Sequence, residues 1–381
     1  MMKKLVVLLL LAVNVGVALL MVGATLAGVV GPSRFIGFSL LGYGFPLLLG
    51  LNVVFLLLWL LGGRRFWWVS AAAIVLRAGF VPLFVQLGGS EEAAPVQGEE
   101  CLKVMSFNTH LFSGRDEGLS AEDLKTVRQE NAGRFLTMVK KEGCDVLCLQ
   151  EFFDIRNRDI SVSDSLESYG YRYRYGVDMS REGVPRGVAL FSRFPIDYVC
   201  NLDTERKFYV DIIKGGSIVR VVCVHLASYG FTEKDSLRDG SLIKELEEAG
   251  RHPMDVVAGA RADSIAKTFP IIAKLSRTIL SHEQEWNGPL KSTITASPRP
   301  ILVAGDFNDT PASYIYQKMR RLMKDSYVEQ GRGFSTTYHG MFPNYRIDYL
   351  WHSEDIEALS YKRIRTDVSD HYPIVVTFRL P

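Results

Sequence analysis

The chain has 381 residues, of which 44 are basic and 42 acidic, and this length suits one large domain or two of ordinary size. Its charges are unevenly spread, because residues 1–100 hold six basic residues, four acidic residues and none of the seven histidines. The remainder holds 38 basic and 38 acidic residues. This balance argues against a domain that binds nucleic acid through an overall excess of basic residues.

Three apolar stretches predict a transmembrane region over residues 1–88. The predicted spans lie near residues 5–30, 35–61 and 66–87. Each stretch reaches the roughly 20 residues that cross a bilayer as a helix. A cleavable signal peptide is the alternative for the first stretch, although its apolar run is longer than the usual ~7–15 residues.

The basic residues of this region predict its orientation. Lys3 and Lys4 precede the first stretch, and Arg64 and Arg65 join the second to the third. Short loops rich in lysine and arginine stay in the cytoplasm, so three crossings leave the rest of the chain outside it. The sequence therefore predicts an integral membrane protein with an extracytoplasmic domain, which is periplasmic if the source is bacterial.

A linker rich in glycine, proline and acidic residues covers 89–100, and the soluble domain is predicted over 101–381. Short apolar runs of strand length recur in this domain: LKVMSFN, DVLCLQ, GVALFS, SIVRVVCVHL, ILVAGDFN, RIDYLWH and PIVVTFRL. Apolar residues at helical spacing predict one helix over about 121–142, capped by Ser120, and another over about 258–281. This alternation predicts an α/β domain.

Two features of the soluble domain leave alternatives open. The polar insertion after His225, over about 229–255, fits either a lid over a site or a surface arm. The five cysteines lack metal-ligand spacing, and several lie in apolar runs as buried thiols do. An extracytoplasmic location makes a Cys200–Cys223 disulfide conceivable, but the sequence cannot pair them.

Polar side chains stand at the ends of nearly all these strands. They are Asn108, Glu151, His225, Asp306 with Asn308, Asp348, and Asp370 with His371. Side chains two residues apart leave a strand on the same side, so Asp306 and Asn308 are expected to point together. Each residue alone has an ordinary explanation as a turn or a satisfied polar group. Together they predict a catalytic site at one end of a sheet.

In chain order the motifs read FN, QE, HL, GDFN, RIDY and SDHYP, and this series resembles the endonuclease/exonuclease/phosphatase superfamily. These phosphoesterases are related to deoxyribonuclease and neutral sphingomyelinase. The resemblance covers about Cys101–Pro381 and implies a two-sheet β-sandwich flanked by helices in four layers, here preceded by the three-helix transmembrane region.

The resemblance also implies a metal site. Glu151 is expected as the principal ligand, with Asn108 and Asp370 near the metal or its waters. Mg²⁺ is the expected cofactor and Mn²⁺ the alternative, since one firm carboxylate with weaker oxygen neighbours and retained waters suits Mg²⁺.

The remaining motif residues are expected to be catalytic. Asp306 would orient and deprotonate the attacking water with help from Asn308, while His225 and His371 would contact the phosphoryl oxygens. Asp348 would orient His371. Phosphoryl transfer needs these parts: an aligned nucleophile, and positive charge or hydrogen-bond donors on the equatorial oxygens.

Two positions depart from the family's nuclease members. Arg186 and Gly187 stand where some nucleases carry an acidic residue, and His110 stands where abasic-site enzymes carry one. Both departures argue against a close deoxyribonuclease or repair-enzyme identity. His110 is expected at the surface, with contact to the site as the alternative. The other histidines outside the motifs are expected to be exposed or packed.

The predicted function is a membrane-anchored, Mg²⁺-dependent phosphodiesterase whose water is activated by Asp306. Its substrate is a phosphoester, with a phospholipid or a nucleic acid as the two candidates. The alternatives are an anchored endonuclease or exonuclease and a catalytically silent binding domain of the same fold. A transporter lacks support, because the predicted spans hold no acidic residue. The sequence does not indicate an oligomeric state.

Overall fold

The computed structural model describes residues 2–90, 101–114, 119–155, 161–178, 186–202, 206–228, 270–340 and 344–381. The helices are α1 Met2–Ala24, α2 Ile36–Tyr43, α3 Phe45–Leu61, α4 Trp67–Leu76, α5 Ala121–Glu142, α6 Val162–Ser168, α7 Pro270–Glu285, α8 Lys291–Thr295, α9 Tyr314–Met319 and α10 Ser326–Gln330. Short 3-10 helices cover Thr25–Gly28, Ala78–Leu83 and His110–Phe112, and a π-helical turn covers Trp286–Leu290.

The strands are β1 Val85–Gln86, β2 Cys101–Asn108, β3 Val146–Phe153, β4 Tyr173–Asp178, β5 Arg186–Ser192, β6 Ile196–Asn201, β7 Lys207–Lys214, β8 Ser217–His225, β9 Ile301–Asp306, β10 Lys324–Asp325, β11 Gly333–Phe334, β12 Asp348–His352, β13 Glu357–Arg363 and β14 Ile374–Arg379. Twelve of them form two six-stranded sheets, ordered β10-β12-β9-β8-β7-β6 and β13-β14-β2-β3-β5-β4. Each sheet has one parallel pair, β8 with β9 and β2 with β3.

The two sheets pack face to face, and helices cover their outer faces. Val104, Val221 and Leu302 belong to the buried layer between the sheets. On the outer face of the second sheet, β2 and β3 pack against α5 and α6. On the outer face of the first sheet, β8, β9 and β12 pack against the π-helical turn, α8 and α9. The predicted four-layer α/β sandwich is thus confirmed.

Burial on both faces explains the apolar runs that the sequence shows. Val104 faces the layer between the sheets, and its neighbour Met105 faces α5. Central strands covered on both sides read as continuous apolar runs, not as an alternation. Helix α5 begins where predicted, since Ser120 Oγ accepts a hydrogen bond from Asp123 N at 3.1 Å.

The N-terminal region differs from the predicted three spans. One helix, Lys4–Gly28, is long and apolar enough to cross a membrane, or two if the bent pair α2 and α3 counts as one span. This pair bends by 65°, because Pro46 cannot donate a backbone hydrogen bond and its ring clashes with the preceding turn. The third stretch forms only the ten-residue α4, followed by a 3-10 helix that contains Pro82.

Helices α1, α3 and α4 nevertheless form a bundle around buried polar side chains. Asn14 donates from Nδ2 to Ser70 Oγ at 2.7 Å and accepts from Trp59 Nε1 at 3.0 Å, which ties all three helices together. Asn52 of α3 contacts Met21 Sδ of α1 at 3.6 Å. The pairings of Asn14 with Trp59 and Met21 with Asn52 make α1 and α3 antiparallel.

The end of the bundle that holds Phe45, the first residue of α3, packs against the sandwich. The Phe84 ring stacks on Phe45 at 5.5 Å, and the Phe84 carbonyl accepts a hydrogen bond from Ser335 N at 3.0 Å. Next to Phe84, β1 pairs with β11 in a separate two-stranded sheet. The chain therefore leaves the bundle in direct contact with the sandwich.

Several predicted features lie outside the described residues, and the structure contradicts one further expectation, a disulfide. The linker from residue 91, the insertion from residue 229 and residues 258–269 of the second predicted helix lie outside them. All five cysteines are free, so the conceivable Cys200–Cys223 disulfide is absent. Cys200 lies on β6 and Cys223 on β8, with β7 between them, which sets the two thiols too far apart to bond.

Candidate active site

The strand-end residues converge where the two sheets meet. His225 is the register partner of Asp306 in the parallel pair β8–β9, and Asp348 is the partner of Asp306 across β9–β12. Asn108 ends β2 and lies beside Gln150 of β3. Because parallel strands bring their carboxyl ends to one edge, side chains from distant parts of the sequence meet there.

Asn108 joins the two sheets. Its Nδ2 donates to Asp306 Oδ2 at 2.9 Å and lies 3.4 Å from Glu151 Oε1, while its Oδ1 accepts from His110 N at 3.0 Å. Glu151 has a positive φ of 47°, an uncommon value for a residue other than glycine. It stands where the β3–β5 register shifts, so the distorted backbone aims its carboxylate at the site.

Asp306 is buried, and both of its oxygens accept hydrogen bonds. Oδ1 accepts from Asn308 N at 2.8 Å, and Oδ2 accepts from Asn108 Nδ2. Burial, together with the nearby Asp348 carboxylate, raises the pKa of Asp306 to about 7. Asn308 also has a positive φ, 48°, and its Nδ2 donates to Leu226 O at 3.1 Å, which ties the loop after β9 to the end of β8.

Asp348 and His371 form a buried ion pair. His371 Nδ1 lies 2.9 Å from Asp348 Oδ2, and His371 Nε2 lies 3.8 Å from Asp306 Oδ2. Although burial opposes the charged imidazolium, the three surrounding carboxylates, Asp348 first, raise the pKa of His371 well above its ordinary value. The arrangement therefore presents a cationic imidazolium with its Nε2 toward Asp306.

The pKa of His225 is shifted in the opposite direction to that of His371. Burial lowers the pKa of His225 to about 4, so its imidazole is neutral at pH 7. Neither ring nitrogen has a hydrogen-bond partner among the described residues. Nε2 lies 3.6 Å from Glu151 Oε1 and 3.8 Å from Asp306 Oδ2. A buried nitrogen without a partner is costly, which suits a group that meets a substrate oxygen.

The donor chemistry around Glu151 fits a divalent cation. Nearby histidine and asparagine side chains outweigh the effect of burial and hold the pKa of Glu151 below its ordinary value, so it is an anion at neutral pH. Its side chain is 28% exposed, in contrast to the closed surroundings of Asp306. An ionised and accessible carboxylate is the kind of ligand that Mg²⁺ uses, although the nearest side-chain atoms to Glu151 Oε1 are nitrogens, Asn108 Nδ2 at 3.4 Å and His225 Nε2 at 3.6 Å.

A second group could also offer metal ligands. Asp306, Asp348 and His371 each place one ligand atom within 4.8 Å of the others. A histidine must be neutral to bind a metal, whereas these carboxylates favour the charged form of His371. This group is therefore better described as an ion-pair cluster, and Glu151 remains the better candidate ligand.

The structure places His110 beside the site and adds a residue that the sequence analysis missed. The His110 side chain is 37% exposed, as expected, and its Nδ1 also lies 3.4 Å from Asp370 Oδ1 beside the site, which was the alternative. Thr337 Oγ1 accepts from the backbone N of Ile347 and of Asp348, which fixes the start of β12. Thr337 lies in no motif, so only the fold reveals it.

A buried polar chain also links the loop after β9 to the N-terminal helices. His282 Nδ1 lies 3.0 Å from Asp309 Oδ2, and its Nε2 lies 2.8 Å from Ala227 O. The Tyr43 hydroxyl at the end of α2 donates to Asp309 Oδ1. Asp309 directly follows Asn308, so α2 contacts the loop that carries the site. His282 was expected to be exposed or simply packed, and its hydrogen bonds to Asp309 and Ala227 were not predicted.

Comparison with known proteins agrees with this geometry. A model of the Endonuclease/Exonuclease/phosphatase family matches residues 105–371, which is more than half of the chain. The chain belongs to the endonuclease/exonuclease/phosphatase family. Members of this family are phosphoester hydrolases that generally depend on a divalent metal, and a buried Asp/Asp/His cluster is present here.

Solved structures of low sequence identity also match this chain. An endonuclease/exonuclease/phosphatase from Bacteroides vulgatus is 16% identical, covers 74% of this chain and 99% of its own, and has a TM-score of 0.47. The human nocturnin catalytic domain with bound sulfate is 18% identical, with coverages of 74% and 96% and a TM-score of 0.44. TDP2 from Caenorhabditis elegans is 19% identical, with coverages of 73% and 74% and a TM-score of 0.42.

Outside the endonuclease/exonuclease/phosphatase match, a model described as a domain of unknown function covers residues 4–84. No curated protein sequence matches the chain.

Proposed function

We propose that this protein is a membrane-anchored, divalent-metal-dependent phosphodiesterase in which Asp306 activates the attacking water. The observation that carries the proposal is the pairing of opposite protonation states beside one carboxylate. A neutral His225 and a cationic His371 lie 3.8 Å from the same oxygen of Asp306, whose pKa is about 7.

Each group suits one part of phosphoryl transfer. A carboxylate with a pKa near the working pH is well matched to take a proton from water. His371 Nε2 can donate to a phosphoryl oxygen with positive charge behind it, while Asp348 holds the ring through Nδ1. The partnerless nitrogens of His225 offer a second donor. A cation held at Glu151, with Asn108 and Asp370 nearby, would neutralise charge on a phosphoryl oxygen.

The bundle supports the membrane anchor. All but four of the exposed large apolar side chains among the described residues lie between Leu5 and Leu87. An exposed apolar surface of this extent on a soluble protein would drive aggregation, whereas lipid would cover it. Lys3 and Lys4 share the end of the antiparallel bundle with Arg64 and Arg65, opposite the sandwich, so the positive-inside rule favours an extracytoplasmic sandwich.

The function is tested with the full chain in neutral detergent micelles. Hydrolysis of bis(p-nitrophenyl) phosphate is followed with Mg²⁺, with Mn²⁺ and with excess EDTA. We expect metal-dependent cleavage that falls about 10²–10⁴-fold in Asp306→Asn, the range for loss of a general base. Asp197→Asn removes an exposed carboxylate on β6 and serves as the matched control. Full activity in EDTA, or an unchanged rate in Asp306→Asn, would reject the mechanism.

The same preparation separates the substrate classes. Plasmid DNA, single-stranded DNA and a phosphodiester lipid in mixed micelles are compared at one ionic strength. The balanced charge of residues 101–381 favours the lipid over the nucleic acids. Cleavage of DNA with no cleavage of lipid would instead make the protein an anchored nuclease.

The anchor has its own test. After alkaline carbonate extraction of membranes, an integral protein stays in the pellet, and release into the supernatant would contradict the proposal. Protease added to intact cells with a permeabilised outer envelope should degrade the sandwich if it is extracytoplasmic.

A further inference from the structure

A cavity of about 510 Å³ lies apart from the catalytic residues, where the chain passes from the bundle to the sandwich. It has eight lining residues, which include Tyr327, Phe334, Tyr361, Arg332, Arg363 and Arg365. The catalytic residues of the strand ends are absent from this lining. The cavity is therefore a separate site, named here the arginine pocket.

The arginine pocket carries positive charge that nothing in its lining balances. Three of its eight lining residues are arginines, and none is acidic. Among the described residues, no ion pair involves Arg332, Arg363 or Arg365, whereas Arg220 and Lys362 have carboxylate partners. Like charges gathered without a counterion repel one another, so the arrangement favours an anionic ligand.

Arg363 is preorganised for such a ligand. Its Nη1 donates to the carbonyl oxygens of Phe334 and Thr336 at 2.7 and 2.6 Å, which holds the guanidinium in place. Its Nε is buried and has no partner among the described residues. Arg332 and Arg365 are exposed at the rim. Guanidinium groups bind phosphate oxygens in a planar, two-point geometry, and a fixed guanidinium loses little entropy on binding.

The position of the pocket indicates where the anion comes from. Phe334 in its wall pairs with Val85, one residue after Phe84, which stacks on the first residue of α3. The pocket therefore lies at the sandwich end of the apolar bundle. Phe334 is 72% exposed and Leu87 is 93% exposed. Exposed apolar side chains next to arginines are typical of surfaces that sit in the interface of an anionic membrane.

We propose that the arginine pocket binds the phosphate headgroup of an anionic phospholipid from the membrane that holds the bundle. The proposal rests on the membrane location in the proposed function, but not on catalysis. Arg363 contacts the phosphate from the wall, Arg332 and Arg365 close around it from the rim, and Phe334 and Leu87 lie against the adjoining acyl region. The bound lipid fixes the sandwich against the bilayer surface at a second point besides the bundle.

The test measures binding to the full chain carrying Asp306→Asn, so that turnover cannot consume the probe. The protein in neutral detergent is titrated with dihexanoyl phosphatidylglycerol or dihexanoyl phosphatidylcholine, and its unfolding temperature is recorded. Phosphatidylglycerol is expected to raise the unfolding temperature with saturation, as a ligand of the folded state does, and phosphatidylcholine is not. Equal effects of the two lipids would overturn the proposal.

Two matched variants assign the effect to the pocket. Arg332→Gln with Arg365→Gln removes two rim charges that make no ion pair, and we expect binding to weaken by roughly tenfold or more, given the contribution of each basic residue at a lipid surface. Arg172→Gln with Arg174→Gln removes two exposed charges near β4 and should leave binding unchanged. Equal affinity in all forms would overturn the proposal.

Two further arms separate other sources of the anion. Glycerol phosphate that binds as tightly as phosphatidylglycerol would show that the site takes a soluble phosphate, which overturns the lipid assignment. Binding that appears only after Glu91→Gln with Glu92→Gln would show that the chain's own acidic residues compete for the arginines, which also overturns it. Loss of lipid binding with intact hydrolysis rejects this proposal alone, and intact binding without hydrolysis in the Asp306-containing protein rejects only the catalytic one.

Discussion

Gly305 is predicted to be the glycine that the site tolerates least. It pairs with Val224 in the parallel strands β8 and β9, directly before the pair His225 and Asp306. Its φ is 153°, and an added Cβ would lie 1.9 Å from the Val224 carbonyl oxygen and 2.9 Å from Val224 Cγ2. Ordinary van der Waals contact begins near 3.4 Å. Gly305→Ala must therefore push the two strands apart by more than an ångström.

This displacement sets the expected magnitudes. Overpacking a well-filled core costs about 1–3 kcal/mol of unfolding free energy, and a clash with backbone belongs at the upper end of that range. His225 and Asp306 would move with their strands, and a misplacement of about 1 Å reduces catalytic rates by about 100-fold. We expect Gly305→Ala to lose about 3 kcal/mol of stability and about 100-fold in phosphodiester hydrolysis.

Chemical unfolding in detergent and the hydrolysis assay measure the two effects on the same preparation. Gly133→Ala in α5 is the control, because a Cβ at Gly133 meets nothing within 4 Å. That change should raise stability by up to about 1 kcal/mol through helix propensity and leave the rate unchanged. A Gly305→Ala protein with the stability of the parent and a rate within about threefold of it would refute the argument.

Two predictions concern buried charge elsewhere. Asp325→Asn removes the carboxylate that accepts from buried Arg346 at 2.6 Å and should cost about 3–5 kcal/mol of unfolding free energy, whereas Glu357→Gln, which breaks the exposed pair with Arg379, should cost less than about 1 kcal/mol. Comparable losses in the two variants would contradict this ranking. The hydrogen bond and charge of Asp309 raise the pKa of His282 above 6.5 despite burial, so the stability that this histidine contributes is complete below pH 6.5 and is lost as the pH rises through its folded pKa. Thermal unfolding from pH 5 to 9 should therefore show a steeper decline above pH 6.5 in the parent than in His282→Gln, and parallel curves would exclude the linkage.

The sequence carried enough information to predict the sandwich and the cluster of strand-end residues. Period-two spacing, buried apolar runs and the series of motifs all depend on local sequence, and the resemblance supplied the two-sheet arrangement with helices on its outer faces. The divalent-metal ligands stay a prediction, as do the domain boundaries. The structure differs from the three predicted spans at two places. Pro46 bends the second apolar stretch, and the third forms only a ten-residue helix.

The remaining features depend on contacts between distant segments. Tyr43 and Asp309 are 266 residues apart, and no local sequence pattern around either residue predicts that the two will be in contact. The arginine pocket likewise joins residues around 332–335 to β13 and the segment after it, through the fold alone. Local propensity cannot specify such pairs, because the tertiary packing that brings them together is not encoded in any one segment.

The seam between the helices and the sandwich has a practical consequence for handling this protein. A chain begun at residue 89 would lose the Tyr43 hydroxyl that donates to Asp309, the Leu83 carbonyl that accepts from Arg346 at 2.9 Å, and the Phe84 carbonyl that accepts from Ser335. A buried carboxylate and a buried guanidinium would each lose a partner at the newly made surface. A water-soluble form therefore requires new partners for these buried polar groups. Removal of the N-terminal helices alone would leave the groups exposed and without their hydrogen bonds.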